Sequence, residues 1–166
     1  MMPSAEMSAA FANDTAEIAR VANEIERFLG AAGVPEKIIF QINLSIDELV
    51  TNTILYGYDD QAEHIIRVTL RSTSDEIEVT IDDDGHAFNP FSPTAAPVDV
   101  NLPIEDRQIG GLGLHFVKSM MNEVSYARVG GRNLVTLRRS TQHASRAPSD
   151  EILGDPASPD EADRRE

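Results

Sequence analysis

The chain has 166 residues, a formal net charge of −14, 41% hydrophobic residues and no cysteine. That length fits one domain with some tail to spare, and the hydrophobic fraction suffices for a packed core. The lack of cysteine excludes a disulfide framework and any thiolate metal site, the acidity disfavours direct nucleic-acid binding, and no apolar run approaches the roughly 20 residues of a membrane span.

The N-terminal stretch MMPSAEMSAAFAND has no basic region followed by an apolar one, so no secretory signal is expected and the chain reads as cytoplasmic. A short edge strand is expected near Ala9–Phe11. Residues 14–32 predict a helix, with Asp14 or Asn13 as cap, Ile18, Val21, Ile25 and Phe28 at helical spacing, and Gly30 and Gly33 at its end. Pro35 suits the first turn of a second helix, whose stripe is Ile39, Ile42, Ile46 and Leu49 and which ends near Gly57. Residues 64–72 and 76–82 alternate as strands around a turn at Thr73–Asp75. Residues 89–109 hold Pro90, Pro93, Pro97 and Pro103 and predict a long loop. A helix over 112–122 follows, then strands over 123–129 and 133–139 joined at Gly130-Gly131 as a hairpin. Residues 142–166 carry seven acids and three bases among Ser and Pro, and read as a disordered acidic tail. Hairpins outnumber strand-helix-strand units. The expected class is therefore α+β, a two-layer sandwich with a mostly antiparallel sheet covered on one face by helices.

Three separated pieces carry chemistry. Glu48 and Asn52 stand at i and i+4 on one helix face. An amide oxygen is a hard ligand suited to Mg²⁺, and the carboxylate beside it can take a proton from a hydroxyl or water. Alone, the pair would read as an exposed polar face. Asp83-Asp84-Gly85 ends a strand. A carboxylate held there can accept a hydrogen bond from an exocyclic amine, and Gly85 lets a flat ring approach the backbone; alone, it would read as a plain acidic turn. Gly110, Gly111 and Gly113 open a helix, where backbone N–H groups bind phosphate oxygens; alone, they would read as a hinge. In this order the three pieces read as an ATP site. Leu114-His115 follows the glycines, so this is not the Lys-Ser/Thr phosphate loop. No strand-helix-strand unit frames it, which disfavours a dinucleotide fold.

The four histidines show no metal-ligand spacing, and no nucleophile elbow is present. Arg107, just before the glycines, reads either as a partner for a terminal phosphate or as a solvated loop charge. Lys118, Arg138 and Arg139 read as surface charges.

Together the pieces resemble the three nucleotide boxes of the GHKL ATPases, the superfamily of gyrase, a heat-shock chaperone class, histidine kinases and MutL. LSIDELVTNTILYGYDD and IGGLGLHFVKSMMNEVSYARVGGRNLVTLRR resemble the first box and the third box with its closing hairpin in the stand-alone anti-sigma factor serine/threonine kinases. The resemblance spans roughly residues 12–140. It implies Glu48 as general base, Asn52 as Mg²⁺ ligand and Asp83 with Gly85 as the adenine site. It further implies Gly110, Gly111 and Gly113 as phosphate binders, residues 89–109 as an ATP lid, and Phe88, Leu114 and Thr136 beside the nucleotide. Tyr56 and Gly57 stand where many relatives have His and Ala, Ala87 where Gly or Ser is common, and Asn89 where Asp is common.

The function implied by the resemblance is a protein serine/threonine kinase using ATP and Mg²⁺. Its substrate would be a STAS-domain anti-anti-sigma protein, and it would regulate a sigma factor by partner switching. A homodimer is compatible with the family pattern. Two alternatives stay open: an ATP-binding switch without significant turnover, and a detached histidine-kinase ATP domain acting in trans.

Overall fold

The computed structural model describes residues 4–92 and 111–142. Its elements in chain order are β1 (Ala5–Ala12), α1 (Ala16–Ala31), α2 (Glu36–Tyr56), β2 (Ile65–Ser72), β3 (Glu76–Asp83), α3 (Gly111–Met120), β4 (Glu123–Val129) and β5 (Arg132–Ser140). The strands form one five-stranded sheet in the order β1-β2-β3-β5-β4, and every neighbouring pair is antiparallel. The expected α+β class with an antiparallel sheet is the one observed. β1 is longer than the expected segment near Ala9–Phe11 and pairs along its whole length with β2.

Helix α1 buries Val21, Ile25 and Leu29, a one-sided stripe, while Arg20 bonds Glu17 and Glu24 on its wet face. Thr15, not Asp14 or Asn13, occupies the cap position, and its side chain makes no capping bond. Asp14 instead accepts from the Ala16 N–H at 2.9 Å, and the Asn13 carboxamide oxygen accepts from the His64 N–H at 3.0 Å. Gly33, at φ +75°, ends the helix, and the Val34 N–H reaches back to the Leu29 carbonyl at 3.0 Å. This left-handed exit is cheap only for glycine.

Helix α2 buries Ile38, Ile39, Ile42, Ile46, Leu49 and Val50. These residues meet the inward rows of the sheet: Ile66, Val68 and Leu70 of β2, Ile77, Val79 and Ile81 of β3, and Val135 and Leu137 of β5. The period of two along each strand turns the alternate residues to the other face. There the register aligns Glu6, Arg71, Glu78, Arg138 and Glu123 across all five strands. Arg138 bonds Glu78 at 3.0 Å and Glu123 at 3.2 Å. Opposite charges therefore sit side by side on the face that the helices leave open. Gly130 and Gly131, at φ +57° and +78°, make the tight turn between β4 and β5.

Candidate active site

The inward stripe of α2 faces the sheet, so Glu48 and Asn52 fall on its flank, where both are half-buried. The Asn52 amide donates to Glu48 Oε1 at 3.1 Å. Donation by its nitrogen leaves the amide oxygen of Asn52 as a hard acceptor. Asp47 and Thr51 pair separately at 3.2 Å. The first turn of α3 lies against this flank. A Cβ built on Gly113 would fall 1.9 Å from Glu48 Cδ and 2.2 Å from its Oε1. Contact this close is open only to glycine, so the start of α3, where backbone N–H groups lack intrahelical partners, lies against the carboxylate.

The other end of the site is built by β3. Asp83 continues the inward row of Ile77, Val79 and Ile81, and is 4% exposed. A buried carboxylate needs donors. The Gly85 N–H supplies one at 2.9 Å and Asn133 Nδ2 another at 2.8 Å, both to Oδ1. Among the described residues no donor reaches Oδ2. Gly85 is buried, and a Cβ there would meet the Gly57 carbonyl oxygen at 2.8 Å and Asp83 Oδ1 at 2.9 Å. The His86 N–H donates to the same Gly57 carbonyl at 2.9 Å, tying the end of α2 to the turn after β3. Burial, and then the charges of Asp83 and Asp84, push the neighbouring Tyr58 phenol up from its ordinary value.

Asn133 is the hub of this end, and the sequence reading missed it. Its amide donates to Asp83 and to the His86 carbonyl at 2.8 Å each, and its oxygen accepts from Tyr126 Oη and Arg128 Nη1 at 2.8 Å each. Arg128 Nη1 also donates to the Gly85 carbonyl at 2.8 Å. The available signal was parity: Val135 and Leu137 point inward, so Asn133 does too, opposite Asp83 in the register.

Parity also corrects Thr136. It lies between inward Val135 and Leu137, and its register partners are Thr80 and Ser125 on the open face. It is therefore on the far side of the sheet from Asp83 and is not part of this site. Glu48, Asn52, Asp83, Gly85 and Gly113 are brought to the helix-covered side. Leu114 packs partly against the core, and Phe88 is 56% exposed just beyond the Asp83 turn. Gly111 opens α3. Arg107, Gly110 and most of the expected lid, residues 93–109, lie outside the described residues, as does the expected tail from residue 143.

Among the described residues no helix is long and apolar enough to cross a membrane. Residues 11–139 match the family described as histidine kinase-like ATPase domain. The chain is 32% identical over 106 residues to a serine/threonine-protein kinase, BtrW, of Bordetella bronchiseptica, covering 64% of this chain and 71% of that one. It is 29% identical over 121 residues to an anti-sigma F factor of Oceanobacillus iheyensis, covering 72% and 80%. A crystal structure of the RsbU and RsbW domains of a Mycobacterium tuberculosis protein shares the fold at a TM-score of 0.57 and 16% identity, covering 83% of this chain and 33% of that one. With the family matched across its sheet, its helices and the candidate site, the chain belongs to the histidine kinase-like ATPase domain family, among relatives named as serine/threonine-protein kinases and anti-sigma factors.

Proposed function

We propose that this protein is an ATP-dependent serine/threonine kinase that phosphorylates a STAS-domain anti-anti-sigma protein and regulates a sigma factor by partner switching. The observation that carries the reading is the contact of Gly113 with Glu48. It sets an acid able to take a proton beside a helix start able to hold phosphate, with the Asp83 pocket at the other end of the same helix-covered face.

The donor set suits the groups involved. Asp83 Oδ2 would accept the exocyclic amine of adenine, and the N–H groups opening α3 would hold phosphate oxygens. The amide oxygen of Asn52 would take Mg²⁺, which supplies charge neutralisation across the phosphates when bound. Glu48 would accept the proton of the attacking Ser or Thr hydroxyl. Its bond from Asn52 at 3.1 Å orients the carboxylate for that role. The names of the relatives support a protein hydroxyl as acceptor and a sigma factor as the regulated partner.

The test incubates γ-labelled ATP and Mg²⁺ with extract of the source organism, using wild type and Glu48→Gln in parallel. The expected result is a small labelled protein that survives acid and is absent with Glu48→Gln. An acid-labile band would overturn the hydroxyl acceptor in favour of histidine transfer. A band of equal strength with Glu48→Gln would remove Glu48 from the chemistry.

A further inference from the structure

His64 stands in an arrangement that only its cation satisfies. Nε2 lies 2.7 Å from Asp60 Oδ1, and Nδ1 lies 3.2 Å from both carboxylate oxygens of Asp84. Ionised carboxylates accept only, so both ring nitrogens must carry hydrogen at once. A neutral imidazole has a single N–H and must turn a lone pair toward one of the two acids. The ring is otherwise fixed. It stacks on Tyr58 with centroids 4.1 Å apart, and its main chain exchanges bonds with Asn13 at 2.9 and 3.0 Å.

The location gives this charge a use. Asp82 and Asp83 end β3 and Asp84 follows them; the first two are held from β5, and Asp84 alone from the loop before β2. Asp82 takes the Arg132 Nε–H at 2.5 Å, Asp83 is bonded by Asn133, and Asp84 has His64. Asp60 and Tyr58 face the ring from its own loop, Asp84 faces it from the turn after β3, and neutral Asn13 meets it from the β1–α1 connection. Beyond Tyr58 lie Asp83 and Arg132, both close enough to affect its phenol.

We propose that His64 is a positioning residue for the adenine end of the site, its imidazolium tying the loop after α2 to Asp84 and so holding the turn that presents Asp83. The proposal rests on the nucleotide reading above. Bonds to Asp60 and then Asp84 raise the His64 pKa above its ordinary value. The bridge is therefore complete below about pH 6.5 and is lost as pH rises through that raised value.

The experiment measures Mg-ADP binding by calorimetry, and melting of the free protein, from about pH 6 to about pH 9. It compares His86→Gln with the double variant His64→Gln/His86→Gln, since the shared His86→Gln removes the exposed His86–Asp59 bridge of 2.8 Å between the same segments. Titration of the ligand's own phosphates cancels in the ratio. The expected result is about two- to five-fold tighter binding with His64 at low pH, fading to parity at high pH, with the melting difference following the same course. Asp84→Asn cuts the same bridge from the turn after β3 and is expected to give the same convergence, which keeps the test open if His64→Gln does not fold. Binding that runs parallel at every pH would overturn the positioning role while leaving the nucleotide site intact. No Mg-ADP binding at any pH by the unsubstituted protein, measured alongside, would overturn the nucleotide reading, and the proposal with it.

Discussion

Gly113 and Glu48 approach each other so closely that no side chain fits between them, a built Cβ lying 1.9 Å from Glu48 Cδ. The obstructing atoms are the far end of a flexible side chain, so Gly113→Ala is expected to fold, with Glu48 swung aside and its bond to Asn52 broken. Misplacing a general base by an ångström or so costs about 10²-fold in rate. Transfer from γ-labelled ATP should fall by about that factor, while the melting transition stays cooperative. Unchanged transfer would mean that the carboxylate does not work from its observed position.

Asn133 and Thr136 make a paired test of which face of β5 serves the site. Asn133→Ala strands Tyr126 Oη, one Arg128 bond, the His86 carbonyl and a bond to buried Asp83. Leaving a buried polar group without its partner costs about 1–3 kcal/mol. A lower melting temperature and weaker Mg-ADP binding are expected together. Thr136→Ala, on the open face, is expected to stay within about 0.5 kcal/mol of wild type and to bind nucleotide unchanged. Weaker nucleotide binding in Thr136→Ala alone would reverse the assignment.

This pair also marks how far the sequence could be read. The helices and strands were legible because their apolar residues recur at clean periods, as in Ile18, Val21, Ile25 and Phe28 of α1, although Leu29 is buried more deeply than Phe28, and in Ile77, Val79 and Ile81 of β3. Glu48, Asn52, Asp83, Gly85 and Gly113 could be named as candidates because each belongs to a local run with its own chemistry, and the fold brings these five to one side of the sheet. Asn133 was not. Its role comes from standing opposite Asp83, fifty residues away in sequence, and register is a property of paired strands. The His64 bridge was hidden for the same reason: Asp84 is twenty residues distant and reaches the ring only once β2 and β3 are paired. Thr136 was named from likeness to a family pattern, whereas parity between Val135 and Leu137 turns it to the open face.

The turn between β4 and β5 offers a stability test remote from the site. Gly131 has φ +78° with no atom within 4 Å of a built Cβ, so space is not the constraint there and conformation is. An alanine in the left-handed region costs about 1–2 kcal/mol. Gly131→Ala should lower the denaturation midpoint accordingly, with Mg-ADP binding retained.

Gly85 and Gly30 separate a glycine needed for close approach from one that is not. A Cβ on Gly85 would press on the Gly57 carbonyl oxygen at 2.8 Å as well as on Asp83 Oδ1, and main chain cannot swing away as a side chain can. Gly85→Ala is thus expected to push the end of α2 from the turn after β3, weakening the His86 N–H bond to Gly57 and displacing Asp83. Overpacking of this kind costs about 1–3 kcal/mol, and Mg-ADP affinity should fall by about tenfold for each 1.4 kcal/mol felt at the site. Gly30 lies within α1, is exposed, and has nothing within 4 Å of a built Cβ. Helix propensity alone applies there, so Gly30→Ala should stabilise by up to about 1 kcal/mol and leave nucleotide binding untouched. Calorimetry and thermal melts of both variants decide the matter: equal affinities for Gly85→Ala and Gly30→Ala would mean that the Gly57–Gly85 contact does not shape the pocket.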